Sequence, residues 1–349
     1  MSNKVKLAIF TAKNIRTSSG STNTVNNILN GLNENKYEIS IIVVDGIVPS
    51  HMLIALKELQ ERPSYLPFSV LQDNKKVTHI YSLEKLSIAE LKKICEFGII
   101  AIYNTYGEDG KLIGLLETAG IPYLSPSLKT SALCFDKQMT KEILRGNDIQ
   151  VVQGFEMHQA EYNLSEINKR IKKYIGYPVI IKATSSGASW GFSYVENFSF
   201  LEKAINYAFQ FSNEFIIEKF LSGTEFSVGI IGHYLQPTAL PVVEIRSKNR
   251  FFDFEAKYVP GKSEEICPAR ISPKLTKEVQ DIAIRAYKAV KGESHARIDI
   301  MYSHEKLYIL EINTFPGLTH NSIFPKELKA AGMTLASFLD QRIKEGLKG

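Results

Sequence analysis

The chain is poor in the features that would place it in several large protein classes. Its 349 residues hold only three cysteines, Cys95, Cys134 and Cys267. They are odd in number, far apart and without partners at metal-ligand spacing, which excludes a disulfide scaffold and a zinc module. Reduced thiols in a cytoplasmic protein are expected. No apolar run approaches the ~20 residues that span a bilayer. The opening MSNKVKLAIF lacks the apolar stretch and small-residue cleavage site of a secretory signal. There is no long Lys/Arg run, and the formal net charge is only +5. That argues against nucleic acid as the main partner and leaves room for an anionic small molecule. Internal repeats and low-complexity tracts are absent too. What is present is ordinary for a globular protein: 44% hydrophobic and 23% charged residues, in a chain too long for one core and long enough for two or three domains.

The first third alternates apolar runs with amphipathic segments: KLAIF, a polar stretch leading to TVNNILNGLN, YEISIIVVDG, a helical pattern near 85–96, and FGIIAIYN. Such alternation marks βαβ units on a parallel sheet. The polar TAKNIRTSSGSTN after the first strand falls where open α/β sheets bind ligands, at the carboxyl ends of strands. A second unit carries a helix over 133–145, the strand PVIIKA, the loop TSSGASWGFSYV, a helix over 200–209 and the strand EFIIEKF. The remainder is strand-rich and ends in helix, with a long polar loop at 247–268. We divide the chain into an N-terminal α/β domain (1–125), a central subdomain (126–218) and a C-terminal subdomain (219–349).

Chemistry concentrates in a late pair of strands. ARIDIMY and LYILEIN are joined by SHEK, a hairpin pattern. Strict alternation puts Arg297, Asp299 and Met301 on one face of the first strand, and Ile309, Glu311 and Asn313 on one face of the second. If the register sets Asp299 against Glu311, two carboxylates and an amide gather, a donor set for Mg²⁺. The alternative is the solvated face of an antiparallel hairpin. Upstream, KATSSGASWG couples Lys182 to small residues that let backbone N–H groups approach phosphate; a Ser/Gly-rich turn is the plain alternative. Glu218 and Glu225 flank a turn at Ser222–Gly223, where they are either nucleoside contacts or ordinary surface carboxylates. Lys257 and Tyr258, in the long loop, are placed to close over a site and exclude water. Glu108 and Asp109 precede a helix whose N-terminus they would stabilise.

Six ordered motifs resemble the D-alanine–D-alanine ligase family of ATP-grasp enzymes: GEDG (107–110) with LLETAGIPYLSPS, DKQMTK (136–141), EKFLSGTEFSVG, FDFEAKY with ICPA, ARIDI, and EINTFPGLTHNS. The resemblance implies a three-domain ATP-grasp fold. Lys137 and Lys182 would contact ATP phosphates, under a loop that includes Ser185, Ser186, Gly187, Ser189 and Gly191. Glu218, Phe220 and Leu221 would line the adenine pocket, and Glu225 would hold the ribose. Asp299, Glu311 and Asn313 would bind two Mg²⁺ ions, or Mn²⁺ in their place. Lys257 would reach the γ-phosphate, Arg297 and the Gly317 backbone would face an oxyanion, and Ser322 would hold the second substrate's carboxylate. The implied reaction activates one carboxylate as an acyl phosphate, which the amine of a second amino acid then attacks. The family also implies a homodimer acting on small molecules, with no membrane or nucleic-acid partner.

Departures from the family pattern cluster around the first substrate. An ungapped alignment puts Thr17 where the family has the Glu that holds the first D-alanine's ammonium. Ala188 replaces a substrate-side Ser, although Ser189 follows, and the family's HG before GEDG reads Tyr103–Asn104. Tyr258 is retained, which favours an amine over a hydroxy acid as acceptor. Either the first substrate differs from D-alanine, for instance an acid without an α-ammonium, or the alignment shifts and another group such as Glu108 substitutes. A nucleotide-binding module that no longer ligates is the reading from a different class; the retained Arg297 speaks against it.

Overall fold

The computed structural model describes residues 4–12, 15–44, 69–187, 190–247 and 263–348, with backbone only for 15–20, 69, 247 and 263. The chain divides into two compact units. Unit one comprises residues 1–132, 293–295 and 314–349, and unit two comprises 133–292 and 296–313.

Unit one carries a five-stranded sheet built from β1 (Val5–Ala12), β2 (Tyr37–Val44), β3 (Val77–Ser82), β4 (Phe97–Ile100) and β5 (Tyr123–Leu124), in the order β3-β2-β1-β4-β5. Every pairing is parallel, as the alternating pattern predicts. The central strands are nearly continuous apolar runs: Leu7, Ala8, Ile9 and Phe10 are wholly buried. The helix Ile15–Gly31 starts earlier than the sequence suggests and absorbs most of the polar stretch after β1. Its Ser, Thr and Asn residues are indifferent helix formers. Burial of Val25, Ile28 and Leu29 on one face outweighs that preference, and the small Ser21, Thr22 and Thr24 are buried as well.

Unit two holds two sheets. The first joins β6 (Gly154–His158), β7 (Val179–Ala183), β8 (Ser193–Val195) and β9 (Glu214–Lys219) in the antiparallel order β6-β9-β7-β8. The second contains β10 (Thr224–Ile231), β11 (Thr238–Ala239), β12 (Val243–Ser247), β13 (Ser263–Ile266), β14 (His295–Ser303) and β15 (Lys306–Asn313). Its path is β13-β12-β10-β14-β15, with β11 beside β10. The helix Pro273–Ala289 covers this sheet through the buried Val279, Ala283, Ala286 and Tyr287.

Three local expectations are corrected. The helix expected over 133–145 is two helices, Leu128–Phe135 and Lys137–Gly146. Asp136 lies between them in extended backbone, and its carboxylate accepts the Met139 N–H at 2.8 Å, so it caps a new helix rather than continuing the old one. The polar loop at 247–268 contains β13, which pairs with β12 from Glu244↔Ile266 to Ser247↔Ser263. Finally, Ile309 does not share the face of Glu311. The register steps from Asp299↔Glu311 to Ile300↔Ile309, leaving Leu310 as an extra residue. This bulge turns Ile309 into the core beside Ile298, Ile300 and Ile312.

Candidate functional site

Glu218 is the hub of the first sheet's polar end. It sits on β9 between Gly154 of β6 and Ile180 of β7. Its Oε1 accepts from Lys141 Nζ and its Oε2 from Lys182 Nζ at 2.9 Å. Both members of the Lys141–Glu218 pair are almost sealed from solvent, at 3% and 2% side-chain exposure. Such burial is tolerated only where charges are paired. Burial, reinforced by the nearby Lys182 and Arg145 cations, pulls the Lys141 ammonium well below the usual lysine range, while Glu311 opposes that shift. Gly154 is required by close approach: a Cβ there would lie 2.3 Å from the Ile217 carbonyl oxygen and 3.1 Å from Glu218 Cγ.

Lys137 lies one turn before Lys141 on the same helix, so both ammonium groups project from one face. Lys137 Nζ donates to the Thr184 carbonyl at 3.3 Å and to the Ser186 carbonyl. The small-residue loop is tied down at both ends. Thr184 donates its hydroxyl to Glu156 at 2.8 Å and its N–H to the Glu214 carbonyl at 3.0 Å. Gly191, with φ of 71°, accepts from the Ala183 N–H, and Trp190 stacks on Phe211. Ser186 is buried, while Ser185 and Gly187 are half-buried. The segment that carries Phe220 and Leu221 is pinned as well. Phe220 N–H donates to the Pro178 carbonyl, its ring meets Tyr194 edge-on, and the Ser222 carbonyl accepts from Ser303 Oγ at 2.6 Å. A Cβ at Gly223 would fall 2.0 Å from the Tyr302 carbonyl oxygen, so only glycine permits this approach. Glu225 follows on β10, opposite Ile245.

The second cluster lies on the hairpin in the register that alternation anticipates: Arg297↔Asn313 and Asp299↔Glu311. Arg297 clasps Asp299 with two hydrogen bonds, Nε to Oδ1 at 2.8 Å and Nη2 to Oδ2 at 2.7 Å. A third donor, Ser227 Oγ of β10, reaches Asp299 Oδ1 at 2.9 Å. Asp299 and Ser227 are buried; Glu311 and Asn313 are half-buried. Among the described residues no group of three His, Cys, Asp or Glu side chains is arranged to hold a metal. Two carboxylates and a carboxamide oxygen on paired strands are nonetheless hard donors of the kind Mg²⁺ takes together with water and substrate phosphate.

Other expected residues belong to unit one. Gly317 lies so close to Ser322 that a Cβ would sit 2.7 Å from its Oγ. Ser322 bonds the Thr319 hydroxyl at 2.7 Å and precedes the helix Ile323–Ala330. The Leu318 carbonyl between them accepts from Asn27 Nδ2. Tyr103 Oη meets Thr24 Oγ1 at 2.7 Å, and Asn104 holds a φ of 64°, where glycine is the usual occupant and asparagine the tolerated one. Asp109 accepts the Lys111 N–H at the start of the helix Lys111–Ala119. Lys257, Tyr258, Ala188 and Ser189 fall outside the described residues, as does the side chain of Thr17. Sequence reasoning missed Lys141, Ser227 and Gly154. The i, i+4 spacing from Lys137 and the i, i+2 spacing from Glu225 signal the first two; Gly154 has no local signal.

This two-sheet unit, with lysines of a helix and a strand gathered on a buried glutamate of one sheet and carboxylates on a late hairpin of the other, has the ATP-grasp fold. Residues 143–344 match the family model described as the D-ala D-ala ligase C-terminus. A D-alanine–D-alanine ligase of Carboxydothermus hydrogenoformans is 37% identical over 261 residues, covering 74% of this chain and 83% of that protein. The solved structure of the Bacillus anthracis D-alanine–D-alanine ligase complexed with ATP superposes with a TM-score of 0.74 at 28% identity, covering 99% of this chain and 98% of that one. The VanG D-Ala:D-Ser ligase of Enterococcus faecalis, at 24% identity and a TM-score of 0.77, shares the fold over 99% of this chain and 100% of its own. The chain belongs to the D-alanine–D-alanine ligase family, whose members are ligases.

Proposed function

We propose that the chain is an ATP-dependent carboxylate–amine ligase that joins a carboxylic acid to an amino acid such as D-alanine through an acyl phosphate. The observation that carries this reading is the hairpin register, which sets Arg297, Asp299, Glu311 and Asn313 on paired positions beside a lysine cluster. Lys137 and Lys182 neutralise the phosphates, Glu218, Phe220 and Leu221 receive the base, and Glu225 receives the ribose. Asp299, Glu311 and Asn313 would hold Mg²⁺, two ions in the full complex, which would supply charge screening for the phosphates. For that role Asp299 would leave its Arg297 clasp, and Arg297 would then face the oxygen that gains charge when the amine attacks. Gly317 and Ser322 serve the second substrate's side, and Lys257 and Tyr258 close the site against water.

A division into three domains belongs to this reading, supported by the presence of three sheets, and a cytoplasmic homodimer completes it. Its first substrate is an acid other than D-alanine. Thr17, a hydroxyl residue where an ungapped alignment puts the family's ammonium-holding Glu, supports that choice. The test is ADP release by purified protein with D-alanine alone, then with D-alanine plus a panel of carboxylic acids. Turnover is expected only in the second series. Brisk D-alanyl-D-alanine formation overturns the altered first substrate, and silence with every pair overturns ligation.

A further inference from the structure

We propose that Lys141 is a positioning residue that makes Glu218 a selector for purine nucleotides carrying a 6-amino group, with Lys182 as a removable cap on the same carboxylate. The inference rests on the nucleotide reading above and extends it to a residue with no role there. Two lysines share one buried carboxylate, yet they are not equivalent. Lys141 is sealed at 3% exposure and fixed on a helix, whereas Lys182 is more open, at 16%, and also lies 6.0 Å from the Phe192 ring centre. Each holds a different oxygen: Lys141 takes Oε1 and Lys182 takes Oε2.

When phosphates draw Lys182 away, Oε2 becomes an acceptor with no competing donor, while Oε1 stays anchored. The 6-amino group of adenine donates to such an oxygen. The 6-carbonyl of inosine or guanosine presents a second acceptor and is repelled. Departure of Lys182 also removes the repulsion that disfavours the Lys141 charge, so the remaining pair tightens as the base arrives. Gly154 holds the opposite side open, since any larger residue would press on Glu218 Cγ. Base and phosphate recognition are thereby joined through one carboxylate.

Calorimetric titration of the full chain with ATP and with inosine triphosphate, both with Mg²⁺, tests the idea. The wild type should bind ATP at least about tenfold more tightly than the inosine nucleotide. Lys141→Met should weaken ATP by about tenfold and bring the two nucleotides within about threefold, while Lys141→Arg restores the preference. Should Lys141→Met fail to fold, the double variant Lys141→Met/Glu218→Gln, which removes the buried charge pair, is compared with Glu218→Gln alone. A residue that acts only through Glu218 adds nothing once the carboxylate is gone, so the two variants should match within about threefold for each nucleotide. Retention of the wild-type ratio in a folded Lys141→Met, or a clear difference between the double variant and Glu218→Gln, overturns the role of Lys141 and leaves the nucleotide reading standing. Absence of ATP binding by the wild type overturns both.

Discussion

Asp299 is the residue on which the hairpin cluster turns. Three donors converge on its two oxygens, two from Arg297 and one from Ser227. Arg297 must move for the carboxylate to take a cation, but Ser227 can keep its bond, because a carboxylate oxygen accepts more than one partner. In the proposed reading Ser227 would therefore fix the carboxylate's rotation while its other partner changes. Ser227→Ala should weaken Mg²⁺ about tenfold, the range seen when a supporting hydrogen bond to a metal ligand is lost. Magnesium titration of nucleotide binding by calorimetry measures this directly, and melting curves without metal check that the fold survives. At this scale the sequence was readable where chemistry and spacing agree. Alternation, with an assumed register, put Arg297, Asp299, Glu311 and Asn313 on paired positions, and the strands pair that way. Ser227 was not found, because a serine in a strand has no chemistry of its own until a neighbouring strand supplies the carboxylate.

The helix Lys137–Gly146 delivers two cations because it starts where it does. Asp136 ends the preceding run and caps the new helix, and Lys137 and Lys141 then fall one turn apart on the side of the first sheet. Asp136→Ala should cost about 1 kcal/mol of stability through loss of the cap, measured by urea unfolding, with the helix start displaced. A break of this kind was visible in principle, since Asp is a preferred cap. It competed with an apolar pattern that runs on across 133–145 without interruption. The Leu310 bulge was not visible at all. Alternation predicts a face for every residue and has no term for an inserted one; the buried Ile309, bridged to Val151 on its outer side, decides the matter through packing. The hairpin's tight connection is different again. His304 and Glu305 take φ of 48° and 60°, a primed turn made without the usual glycine.

At the scale of the whole molecule, two groups of unit one lower its stability in acid. His295 is buried between Phe324 and Phe338, and burial first, then the Arg342 charge, pushes its imidazole down to about 3. It is neutral in the fold, whereas the unfolded chain protonates it below about 6.5. The unfolded state thus binds the extra proton, and stability falls as pH drops from about 6.5 toward 3, by at most about 1.4 kcal/mol per pH unit. Asp340 acts in the same direction at lower pH. Its bonds to Lys344, Tyr37 and Lys36 hold its carboxyl below the usual range, so its contribution is present above about 4 and lost beneath. Thermal melts between pH 7 and 4 should show His295→Leu with a shallower decline than the wild type.

Unit one is also assembled from segments far apart in the chain. The helix Leu335–Gly346 buries Phe338, Leu339 and Ile343, and Gly346 sits where any Cβ would strike the ring of Phe97. The ribosome has therefore made the whole of unit two before the last piece of unit one exists. During synthesis the sheet encoded first must wait, with part of its apolar surface uncovered, while the unit encoded later closes on its own.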